Sequence, residues 1–182
     1  IDAVIEDGEN GERGIATGSD EYFAKYTAYL ANQLPVFQFL GINYIRFNPS
    51  SELVYTEESD ATWMANAAAR LSAASTQAKE FGVKILIENH GFGGSNIFQT
   101  SEILIELKNI VNNSNFGLLL DTDNFIDLTD STDSMKLAPE AYSLCLKVRN
   151  PENPRFTGDT KSVNIIELFD KFAESSDITN VV

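Results

Sequence analysis

In Ile85-Leu86-Ile87-Glu88-Asn89-His90-Gly91 three large aliphatic residues run directly into a carboxylate, an amide and the only histidine of the sequence. An unbroken aliphatic run of this kind suits a strand buried on both faces. A charged group at the end of such a strand needs a partner or a metal ion to offset the loss of water. The run is therefore read as a buried strand that delivers chemistry at its C-terminal end.

Working outward, short apolar runs, several of them β-branched, recur at residues 1–5, 42–47, 83–87, 116–120, 142–148 and 178–182. Segments 20–40, 57–81, 100–111, 131–137 and 164–173 place apolar residues at helical spacing, several behind Ser, Thr or Asp caps. Gly41 and Gly82 each follow a helical segment and precede a strand, where a left-handed residue ends a helix at low cost. Strict strand and helix alternation with aliphatic strands predicts an α/β fold with a parallel sheet, either doubly wound or closed into a barrel. Antiparallel meanders are disfavoured.

Two further strands end in polar groups. Gly117-Leu118-Leu119-Leu120 runs into Asp121-Thr122-Asp123-Asn124, and Leu144-Cys145-Leu146-Lys147 carries a thiol and an amine. In a parallel barrel all C-terminal strand ends face one way, so Glu88, Asp121 and either Cys145 or Lys147 are candidates to converge at one mouth. Convergent carboxylates suit a divalent cation. Structural roles compete with this reading. Glu88 has an ion-pair partner available in Lys147, Asp121 is able to cap the following turn, and His90 to bond a loop carbonyl. The segment Gly91-Phe92-Gly93-Gly94 lacks the Lys-Ser or Lys-Thr of a phosphate-binding loop and does not match the dinucleotide fingerprint, so no nucleotide cofactor is expected. Cys145, inside an apolar strand with no base nearby in sequence, reads as an inert thiol. Phe23, Tyr26, Tyr29 and Leu30 fall at helical spacing and read as core and core edge.

Composition narrows the classes. With 182 residues and 43% apolar content, one domain over residues 1–182 with a sizeable core is expected. Lys plus Arg total 13 against 27 Asp plus Glu, a formal charge of −14 that repels a phosphate backbone, so no nucleic-acid partner is expected. No apolar run reaches the ~18 residues of a membrane span, so no membrane partner is expected either. The single cysteine leans toward a reducing, cytoplasmic compartment; a secreted origin stays open because the chain begins at Ile1. The triplet Asn112-Asn113-Ser114 fits the glycosylation pattern, which arises often by chance.

The run Ala67-Ala68-Ala69-Arg70-Leu71, continued by Ala78-Lys79-Glu80-Phe81-Gly82 and the strand ending Glu88-Asn89-His90-Gly91, resembles the central part of xylose isomerase-like sugar-phosphate isomerases and epimerases. The likeness continues through Asn113-Ser114-Asn115-Phe116-Gly117 to Asp121-Thr122-Asp123-Asn124-Phe125, then through Leu137-Ala138-Pro139-Glu140-Ala141-Tyr142 and the strand carrying Lys147. It implies a (β/α)8 TIM barrel of which about six β/α units are visible. Residues 1–5 would be its second strand and 178–182 its seventh, with the first and eighth unaccounted for. A six-stranded arc has two unpaired edges, so further segments, a second copy of the chain, another partner chain or a non-standard closure are expected to cover them.

The resemblance also implies a divalent metal, commonly manganese, magnesium, zinc or cobalt, held by a glutamate, an aspartate, a histidine and a second glutamate at successive strand ends. Glu88 and Asp121 match the first two. Cys145 stands two residues before Lys147, where the family pattern has histidine, and the run 178–182 contains no glutamate. Asp123 replaces a glycine of the family motif. The implied activity is isomerisation or epimerisation of a sugar or sugar phosphate by metal-assisted proton transfer next to a carbonyl. Glu88 would be ligand and acid/base, Asp121 a ligand, Cys145 a substitute ligand, and His90, Asn89, Lys147 and Asn124 would hold substrate oxygens. The alternative is a non-catalytic barrel relative kept as a binding or assembly module after its metal site changed. An abasic-DNA endonuclease, from the same superfamily, needs more histidines and a basic face than this chain has.

Overall fold

A computed structural model describes residues 20–46, 60–89, 100–122, 124–125, 132–145, 165–175 and 180–181. Along the chain these form α1 (Asp20–Phe39), β1 (Tyr44–Arg46), α2 (Asp60–Lys79), β2 (Lys84–Glu88), α3 (Ser101–Val111) and β3 (Phe116–Asp121). Then follow α4 (Thr132–Leu137), a 3-10 turn (Ala138–Glu140), β4 (Ser143–Cys145), α5 (Ile165–Ala173) and β5 (Asn180–Val181). The expected alternation is thus present in every described part. The strand expected at residues 1–5 lies outside the described residues. Among the described residues no helix is long and apolar enough to cross a membrane. Two compact units are distinguished, one of residues 1–87 with 107–117, the other of residues 88–106 with 118–182.

In the first unit, Leu30, Leu34 and Phe37 of α1 are buried at spacings of four and three, as one helical face requires. Tyr29 lies at the edge, 43% exposed, and Pro35, which has no N–H to give the helix, sits on the exposed side. The buried face of α2 is built of Met64, Ala68, Leu71, Ala74, Ser75 and Ala78.

Both helices end alike. Gly41 and Gly82 adopt φ of 69° and 70°. Ile42 donates its N–H to the Phe37 carbonyl at 2.9 Å, and Val83 to the Ala78 carbonyl at 3.1 Å. With Gly41 donating to Gln38 and Gly82 to Lys79, each end has the hydrogen bonds of a Schellman motif. These caps aim the chain straight into β1 and β2, which pair in parallel with Ile45 opposite Ile85.

The stretch Asn113-Ser114-Asn115 is tied to the end of α2 and the start of β2. The Asn113 amide donates to the Ser72 carbonyl and the Thr76 hydroxyl, and its oxygen accepts the Asn115 N–H. The Asn115 amide donates to the carbonyls of Ser75 and Val83 at 2.8 and 2.7 Å, and its own carbonyl accepts the Ile85 N–H. Lys84 donates to the Ser114 carbonyl. These bonds leave little freedom in where β3 begins.

In the second unit, β3, β4 and β5 pair in parallel, with Leu120 opposite Leu144 and Leu144 opposite Val181. The N-terminus of α3 is fastened to α4. Thr100 accepts the Ile103 N–H as the N-cap, while Asp133 Oδ1 accepts both the Ser101 N–H at 2.9 Å and its hydroxyl at 2.6 Å. Lys136 pairs with Glu102 beside it. Leu168 and Phe172 of α5 are buried, and the Ser175 hydroxyl donates to the Ala141 carbonyl.

Candidate functional site at the strand ends

Strand β2 shows why its end is chemically special. Ile85, Leu86 and Ile87 are fully buried, and so are nearly all of Glu88 and Asn89. Each aliphatic side chain contributes roughly 1.5–3 kcal/mol on burial, and that stabilisation offsets the cost of placing Glu88 at 1% exposure. Strand β3 repeats the pattern: every residue from Phe116 to Asp121 is buried, and Asp121 is 1% exposed. Each strand therefore ends in a carboxylate drawn out of water by the aliphatic residues preceding it.

The two strand ends are joined through Asn89. Its Nδ2 donates to the Asp121 carbonyl at 2.8 Å, and its Oδ1 accepts the Asp121 N–H at 2.7 Å. Asn89 directly follows Glu88, so the backbone of one carboxylate residue is pinned beside that of the other. Asn124 reaches back from beyond β3 to donate weakly to Glu88 Oε1, at 3.4 Å. Asp121 lies opposite Cys145 in the parallel ladder, and the Thr122 N–H donates to the Cys145 carbonyl at 3.2 Å. Cys145 is half-buried rather than fully enclosed as expected for a core residue.

The structure thus brings Glu88, Asn89, Asp121, Asn124 and Cys145 to the ends of β2, β3 and β4. His90, Asp123 and Lys147 lie outside the described residues. Sequence reading placed Asn89 among the groups that hold substrate oxygens; its amide meets the Asp121 backbone and the residue has no exposure. Nothing in the local sequence signals that bond, since the two residues are 32 apart. Thr122, also buried, was not singled out from sequence; its N–H donates to the Cys145 carbonyl.

Two buried carboxylates at neighbouring strand ends are the hard oxygen donors that a divalent cation takes, and Cys145 is a further donor suited to zinc. Glu88 and Asp121 therefore fit part of a metal site. Among the described residues no group of three His, Cys, Asp or Glu side chains is arranged to hold a metal ion. Further donors would have to come from elsewhere.

Comparison with known proteins agrees with this fold. The family profile described as Xylose isomerase-like TIM barrel matches residues 7–154. No curated protein matches the sequence. Among solved structures, IolI with a bound zinc atom is similar at a TM-score of 0.68 and 18% identity, over 90% of this chain and 62% of that one. D-psicose 3-epimerase with D-tagatose from Clostridium cellulolyticum H10 gives 0.67 and 14%, over 91% and 59%. L-ribulose 3-epimerase gives 0.67 and 18%, over 91% and 57%. The chain spans about three-fifths of the length of these proteins, and at such identities the likeness is one of fold. With the family match covering most of its residues, this chain belongs to the xylose isomerase-like TIM barrel family.

Proposed function

We propose that this protein acts on a sugar or sugar phosphate as a divalent-metal-dependent isomerase or epimerase. The observation that carries the reading is the burial of Glu88 and Asp121 at strand ends tied together through Asn89. Zinc bound to IolI and tagatose bound to D-psicose 3-epimerase, both proteins of similar fold, support it.

Glu88 and Asp121 would hold the ion, its remaining donors coming from beyond the described residues. The chemistry such an ion supplies when bound is polarisation of a sugar carbonyl and its neighbouring hydroxyl. Glu88, kept from water, moves the proton on the adjacent carbon, because a carboxylate in a dry site transfers protons to carbon more readily than a solvated one. Asn124 steadies Glu88 through its amide. His90 and Lys147 hold substrate oxygens, and the lysine ammonium offsets negative charge as it develops.

A second reading, a non-catalytic relative serving as a binding or assembly module, is favoured by one observation. Cys145 stands opposite Asp121, at the position where the family pattern carries histidine. Calorimetric titration with Mn2+, Zn2+ and Co2+, combined with solvent deuterium uptake by a panel of ketoses, separates the two. The enzyme reading expects stoichiometric binding that is lost in Glu88→Gln, and metal-dependent exchange with at least one sugar. Absence of both returns the protein to the binding-module reading.

A further inference from the structure

We propose that Asn89 is a positioning residue, a side-chain clamp that holds the Asp121 backbone at a fixed place beside Glu88. Both polar atoms of its amide meet both polar atoms of one residue's main chain, at 2.8 Å to the carbonyl and 2.7 Å from the N–H. Two bonds to one residue's main chain fix distance and rotation together, where one bond would leave a hinge. In effect the side chain stands in for a strand's peptide group at the point where β2 stops at Glu88.

The amide is suited to this task and its near relatives are not. Aspartate keeps the acceptor but turns a second oxygen toward the Asp121 carbonyl. Glutamine is one methylene longer, and alanine leaves a buried N–H and C=O of Asp121 without these bonds. Asn89 has no exposure, so water does not replace what is removed.

The consequence for a metal rests on the function proposed above. Carboxylate ligands must meet a divalent ion within about 2.0–2.6 Å, and the clamp sets the backbone from which Asp121 reaches it. Groups that orient ligands without touching the metal typically change affinity about 10–100-fold when removed. Asn89 thereby acts on metal binding through Asp121, with no contact of its own.

The test joins two measurements on the intact protein and its Asn89→Ala and Asn89→Asp variants. Amide hydrogen exchange reads the Asp121 N–H directly, and calorimetric titration with Mn2+ reads the site. Asn89→Ala is expected to lose protection at Asp121 and to bind Mn2+ about 10–100-fold more weakly at unchanged stoichiometry. Asn89→Asp, isosteric and still able to accept the N–H, retains part of the protection and is the variant to rely on if alanine fails to fold. Asp133→Ala, which loosens α3 from α4, serves as a destabilised control with wild-type affinity. Equal protection of Asp121 in wild type and both variants overturns the clamp, as does unchanged Mn2+ affinity or an equal loss in the control. If wild type binds no Mn2+, the proposed function fails, and the clamp stands or falls on the exchange of Asp121 alone.

Discussion

Replacing Asp133 with alanine removes one carboxylate and leaves two donors of Ser101 behind. The Ser101 N–H, at 2.9 Å, belongs to the first turn of α3 and has no acceptor inside the helix. The hydroxyl, at 2.6 Å, can turn instead to Glu102 Oε2, which already lies at 3.2 Å. Most of the cost therefore falls on the N–H, buried in a residue with no exposure. A buried donor left without its acceptor costs about 1–3 kcal/mol, and loss of a helix N-terminal acceptor about 0.5–2 kcal/mol. About 2 kcal/mol is the expected total, a fall in melting temperature of ~4–8 °C for a chain of this size. Asp133→Asn keeps an Oδ1 acceptor and should lose less than half as much. Ser101→Ala removes only the hydroxyl bond and should cost ~1 kcal/mol. Calorimetric melting of the three variants, with the Ser101/Asp133 double variant closing the cycle, measures the coupling. A melting temperature for Asp133→Ala within ~1 °C of wild type refutes the capping argument. So does an asparagine variant that falls as far as alanine.

Gly82→Ala should cost ~1–2 kcal/mol, all of it from the backbone, because an added Cβ meets nothing within 4 Å while φ stays at +70°. Gly82→Asn should cost less, and the difference between the two in denaturant unfolding checks that the penalty is conformational. The hydrogen bond from Lys136, aided by its charge, holds the Glu102 carboxyl below the usual carboxylate range. A carboxyl lowered in the folded state adds stability above its unfolded pKa and gives it up as the pH falls through the folded one. Both side chains are more than half exposed, 52% and 61%, so the contribution stays within the ~0–1 kcal/mol of screened surface pairs. Lys136→Met should melt slightly below wild type at neutral pH and level with it once Glu102 is protonated.

Much of the fold was legible because burial leaves a local trace. The aliphatic run before Glu88 and the one before Asp121 announce strands covered on both faces, and both are buried throughout apart from half-buried Lys84. Gly41 and Gly82 announce helix ends because only a residue at ease with positive φ closes a Schellman motif cheaply. The candidate site was legible to the same depth: a carboxylate placed immediately after a buried run is carried to a strand end by the chain itself. Cys145 was read as buried because a thiol inside an apolar run reads as core, whereas as the last residue of β4 it is half-buried.

The sequence by itself therefore determined the order of strands and helices, where the helices stop, and which acidic residues arrive at strand ends. Tertiary structure alone decided the partners. Asn89 meets Asp121, and Asp133 meets Ser101, each across 32 residues. Asn115 meets Ser75 across 40. Hydrophobic pattern specifies which face of an element is buried and carries no record of the register at which two elements meet. A hydrogen bond, with a tolerance of a few tenths of an ångström, exists only once that register is set.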